Sequence, residues 1–90
     1  MNPEQLYEEL ENLAGHLGVS IRQENLSDLE PVAKSGLCKV KGRYYYIMDS
    51  STTLDEKIRL LTECLSQMDL EGVYLLPAIR NVLEAVRKKG

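Results

Sequence analysis

Leucine recurs at positions 6, 10, 13 and 17, with Ala14 beside the stripe and mostly polar residues between. That spacing gathers apolar side chains on one face of an α-helix. Its start is marked too. Asn2 is a good N-cap, Pro3 suits the first helical position, and Gln5 completes an N-x-x-Q capping box. Gly18 stands where a left-handed residue closes a helix. The pattern predicts a helix over residues 3–17.

The period then changes from 3.6 to 2. Val19 and Ile21 alternate with polar neighbours, which predicts a short half-buried strand. Residues 25–36, "NLSDLEPVAKSG", carry turn formers and little periodicity and read as the longest loop. Next, Cys38 and Val40 alternate with Lys39 and Lys41. Gly42 interrupts, and Tyr44, Tyr45, Tyr46, Ile47 and Met48 follow, rich in aromatic and β-branched side chains. A tight hairpin around Lys41–Arg43 joins the two runs. On this reading Cys38, Val40, Tyr45 and Ile47 face the core. Lys39, Lys41, Tyr44, Tyr46 and Met48 lie on the opposite side.

Thr53 and Glu56 form a T-x-x-E box ahead of a second apolar stripe, Leu54, Ile58, Leu61, Leu65 and Met68, widened by Leu60 and Cys64. This helix is expected to end near Asp69, with Gly72 in the break. Pro77 opens a last helix with Ile79, Val82, Leu83 and Val86 inward. Arg87, Lys88 and Lys89 sit where cations complement the dipole of that helix. The predicted fold is α+β: an N-terminal helix, a small three-stranded sheet with a β-hairpin, and two C-terminal helices. Ninety residues with no internal repeat predict one domain over 1–90.

Composition narrows the chemistry. With no Trp and no Phe, the large core side chains must be Leu, Ile, Val, Met and some of the five tyrosines. A net charge of −3 argues against a nucleic acid as the main partner. No run approaches the roughly 20 apolar residues that span a bilayer. The acidic, amphipathic N-terminus resembles neither a signal nor a transit peptide. A cytoplasmic chain is expected, with Cys38 and Cys64 as free thiols. His16, Cys38 and Cys64 are the soft metal ligands, and they lack the close spacing of a zinc site, so no metal and no cofactor is expected. No phosphate-cradling glycine motif is present, and one histidine leaves no catalytic triad to argue.

Lys39, Lys41, Arg43, Tyr44 and Tyr46 mix cations with aromatics on adjacent strands. Such a mixture anchors protein partners or stacks on bases. These five residues are the candidate interaction face.

The chain also resembles a known family. Leu13, Ala14, Leu17, Gly18 and Val19, then Ile47, Met48 and Asp49 after a hairpin, then T-E-C-L-S at Thr62–Ser66 on a capped helix, are similar in order to the ImmA/IrrE zincin-like metallopeptidase domain. The likeness covers roughly residues 3–68, and the chain is also similar to a small group of bacterial proteins with no assigned activity. In that family the helix after the hairpin bears H-E-x-x-H. Two histidines at i and i+4 grip zinc, and the glutamate between them activates the metal-bound water. Here Thr62 and Ser66 replace both histidines and Glu63 keeps the glutamate position. Hydroxyls are poor zinc ligands, so the resemblance implies vestigial metal-site positions at Thr62, Glu63 and Ser66 and no peptidase activity. The plainer reading of Glu63 is a solvated helix carboxylate. The expected function is a non-catalytic protein-interaction domain, its partner another protein or its own copy. The alternatives are a peptidase remnant with residual activity, and a nucleic-acid accessory using the Lys/Arg/Tyr hairpin and the C-terminal cations.

Overall fold

The computed structural model describes residues 1–25 and 36–89. The loop read at 25–36 falls, but for its two ends, outside the described residues. The rest follows the order helix, strand, hairpin, helix, helix: α1 Pro3–His16, β1 Val19–Glu24, β2 Gly36–Val40, β3 Arg43–Asp49, α2 Leu54–Ser66 and α3 Pro77–Lys89. The chain is an α+β protein with a three-stranded sheet.

Local chemistry explains the boundaries. Both bonds of the first capping box form: the Gln5 amide donates to Asn2 Oδ1 at 2.8 Å, and the Asn2 amide donates to Gln5 Oε1 at 3.3 Å. Gly18, at φ +82°, turns the chain out of α1 directly into β1. The hairpin is a two-residue loop, Lys41 and Gly42, between the paired residues Val40 and Arg43. Both loop residues have positive φ, the backbone whose twist matches that of the flanking strands. The second capping box forms by half. The Glu56 amide donates to Thr53 Oγ1 at 3.3 Å, while the Glu56 carboxylate turns to Arg59 at 2.7 Å.

The sheet order is β1-β3-β2. β3 is central, parallel to β1 and antiparallel to β2, with Val19 opposite Tyr44 and Ile21 opposite Tyr46. All three helices gather on one side. Leu10, Ala14, Met48, Leu61 and Leu65 are fully buried between the layers, and Ile79 and Leu83 bring α3 into the same core. Tyr7 joins them from α1, its hydroxyl donating to Met48 Sδ at 3.5 Å. Burial, reinforced by the charge of Glu11, holds the Tyr7 phenol above its usual pKa.

One expectation is overturned here. Tyr46 is 7% exposed and Met48 is completely buried, so these two, not Tyr45 and Ile47, point into the core. Val40, read as a core residue, is 52% exposed. The run from Tyr44 to Met48 is apolar at every position, so alternation alone gives no side to choose. The choice comes from β1. Gly18 allows almost no slack after α1, Val19 therefore enters the core, and the parallel register puts Tyr44, Tyr46 and Met48 on the side of Val19 and Ile21.

Arg87 lies in the last turn of α3, as expected, and also reaches beyond its own helix. Its Nε donates to Ser66 O at 2.9 Å and its Nη2 to Met68 O at 3.2 Å. Those carbonyls lie at the C-terminal end of α2, where helical partners run out and where α2 has no basic residue of its own. A cation on α3 thus caps its neighbour. The side chains of Lys88 and Lys89 lie outside the described residues. Arg87→Ala is expected to cost about 1 kcal/mol, because the bonds are charge-assisted but exposed. The melting temperature should fall by roughly 4–8 °C. An unchanged melt would refute the cap.

Candidate functional site

The five residues of the predicted interaction face do not share a face. Lys39 and Tyr44 do stand together, the ammonium 5.4 Å from the ring centroid, near the hairpin tip on the helix side of the sheet. Tyr44 is 39% exposed. Lys41 sits in the turn. Arg43 points to the other side, by the strict alternation of a strand. Tyr46 belongs to the core and leaves the set.

What sequence reasoning missed is the other side of the sheet. Among the described residues, no helix packs against the side that carries Cys38, Val40, Tyr45 and Ile47, because α1, α2 and α3 are all committed to the Tyr46 side. Tyr45 and Ile47 are half-buried by their sheet neighbours, and Arg22 lies 6.0 Å from the Tyr45 ring centroid. Of the residues assigned to the core, Val40 is thus exposed, and Cys38, Tyr45 and Ile47 are half-buried on the side that no described helix covers. The sequence signal was a central strand apolar on both faces; which face the helices cover was not written in it.

On α2 the hydroxyls of the T-E-C-L-S segment are turned to their own main chain. Thr62 Oγ1 donates to Ile58 O at 2.6 Å and Ser66 Oγ to Glu63 O at 2.7 Å. Thr62 is 3% exposed. Glu63 accepts from Arg59 Nη1 at 3.2 Å on the outer surface of the helix, within an exposed Glu56–Arg59–Glu63 chain of charges. Such exposed pairs are worth a few tenths of a kcal/mol each. Glu63 and Cys64 edge a shallow recess with Leu37, Tyr46 and Met68. Burial pushes the Cys64 thiol above its usual pKa. It therefore stays a protonated, weakly nucleophilic thiol near neutral pH. Tyr46 is raised as well, by burial first and then by Cys64 and Glu63, with Arg59 opposing.

A wider hollow lies between α1 and the approach to α3. Leu13, His16, Leu75 and Ile79 line it, with Glu9 and Glu11 on the rim. Tyr74, at its mouth, is 80% exposed. Glu11 has a raised carboxyl pKa, from partial burial and from Glu8, with Lys57 opposing. Among the described residues, no group of three or more His, Cys, Asp or Glu is placed to hold a metal ion. No described helix is long and apolar enough to cross a membrane. Comparison of the chain with family models, curated proteins and solved structures finds no match.

Proposed function

We propose that this chain is a non-catalytic protein-interaction domain that binds through the side of its sheet that no described helix covers. The observation that carries the reading is that side itself: Val40, Tyr45 and Ile47, ringed by Arg22 and Arg43, have no helix over them among the described residues. Apolar centres with an aromatic anchor and an arginine rim are the composition of contact surfaces. The Lys39–Tyr44 pair and Lys41 extend this surface around the hairpin tip. Replacing Tyr45 with a photo-crosslinking phenylalanine analogue in cells should give adducts of one defined mass, and the same analogue at exposed Glu8 should not. No defined adduct at Tyr45 would refute the reading.

The likeness to zincin-like peptidases stands as a second part of the proposal. Its support is the element order, a hairpin followed by a capped helix with Thr62 and Ser66 one turn apart. On that reading α2 is a metal-binding helix without its ligands. Thr62→His with Ser66→His should confer measurable cobalt binding, at a stability cost of roughly 1–3 kcal/mol because Thr62 is buried. A folded double variant with no gain in cobalt affinity would remove that relationship's mechanistic content.

A further inference from the structure

Charge is arranged along the open side of the sheet in a way that suits the same surface turned end for end. β3 carries Arg43 at its first residue and Asp49 at its last, both on the open side with Tyr45 and Ile47 between. Six residue steps of strand separate the two charges, about 20 Å. Glu24 stands beside Asp49 in the parallel register but is ion-paired with Arg22 at 3.2 Å, so Asp49 is the carboxylate left to meet a cation at that end, while the hairpin end carries Arg43 and Lys41. Neither Arg43 nor Asp49 takes part in an ion pair among the described residues. The Asp49 carboxylate accepts from the Ser51 amide at 3.1 Å and keeps further acceptor capacity.

We propose that the partner is a second copy of this chain, packed sheet to sheet with the strands antiparallel; this rests on the reading of the open side as the contact surface. A two-fold axis lying between the sheets and across the strands places Arg43 of each copy opposite Asp49 of the other. It also places Tyr45 of each copy against Ile47 of the other. The Arg43–Asp49 ion pair and the Tyr45–Ile47 contact each form twice, as an isologous interface requires. An axis along the strands would put Arg43 on Arg43 and Asp49 on Asp49, so charge selects one orientation over the other. The aligned packing of two sheets, about 10 Å apart, is the geometry of a sandwich core. The patch is small, about 20 by 15 Å from strand length and spacing. It falls below the roughly 800 Å² per partner of a standard interface, so the dimer is weak and depends on concentration.

Analytical ultracentrifugation of the purified full chain in low salt tests this. Between about 10 μM and 1 mM the wild-type chain should pass from monomer toward dimer, the range expected of so small an interface. Tyr45→Glu should abolish association. Arg43→Glu alone and Asp49→Arg alone should each weaken it roughly tenfold or more, since each sets like charges opposite one another. An equimolar mixture of those two variants should associate again, because the mixed pair restores both attractions. A wild-type chain that stays monomeric overturns the proposal. So does a dimer indifferent to Tyr45→Glu, or folded charge variants that fail to recombine. Should Asp49→Arg lose its fold by circular dichroism, Arg43→Glu decides, and undiminished association overturns the proposal. Tyr45 crosslinks to a protein of different mass, with a monomeric purified chain, would overturn the second copy and leave the contact surface standing. The absence of any adduct would overturn both.

Discussion

Tyr46→Ala is expected to remove roughly half of the stability of this protein, whereas Tyr45→Ala should change it by less than about 1 kcal/mol. The two residues are neighbours in sequence and identical in chemistry, so the contrast isolates burial. Tyr46 is 7% exposed between the sheet and α2, and truncating it opens a cavity beside Cys64 and Met68. Large aromatic truncations of that kind cost roughly 3–5 kcal/mol. A domain of this length holds of order 5–10 kcal/mol in total. Tyr45 lies on the side no described helix covers, and its loss removes mainly contact with sheet neighbours and Arg22. Urea titrations of both variants give the answer through their midpoints. Equal destabilisation would mean that both sides of β3 are packed, and the open face would no longer exist as a free surface.

Leu61→Ala and Leu65→Ala should each cost roughly 2–5 kcal/mol. Both side chains are completely buried, one turn apart on α2. They stand where α2 meets α1, and α3 closes the same core through Ile79 and Leu83. Little room exists for collapse around either site, because every neighbouring element contributes a fully or nearly buried residue. The melting temperature should drop by more than about 10 °C in each variant. Leu60→Ala is the control: Leu60 is half-buried at the edge of the Cys64 recess and should lose less. Melts of the two core variants that match wild type would show that α2 packs through a different face.

The strands and helices could be read from local chemistry because each carries its own signals. Asn2, Pro3 and Gln5 begin α1 whatever the rest of the chain does, and Thr53 begins α2. The hairpin was legible around Lys41–Arg43 because Gly42 interrupts two runs of strand-forming residues. Periodicity of 3.6 in α1, α2 and α3 also named their buried faces, since a helix with one apolar stripe has one way to turn. Tyr7 is the exception in α1. It escaped notice because a tyrosine reads as amphipathic until something is seen to bury it.

The candidate site was less legible, and the reason is physical. A strand with apolar residues on both sides holds no information about which side the helices will occupy. Tyr44 through Met48 is such a strand, so Tyr46 was assigned to the surface and Tyr45 to the core, and both assignments reversed. Arg87 shows the same limit at longer range. Nothing within α3 indicates that this guanidinium reaches back 21 residues to Ser66, because the carbonyls it caps belong to another helix. What the chain encodes locally is the identity, length and ends of its elements, through caps, turns and periods that act within a few residues. The side of β3 that is buried, the parallel pairing of β1 with β3, and the placing of Arg43 and Asp49 on the face that no described helix covers arise only on assembly. They depend on the short Gly18 link and on a helical layer, with α3 packed on α1 and α2, that gathers on one side of the sheet, contacts between residues far apart in sequence.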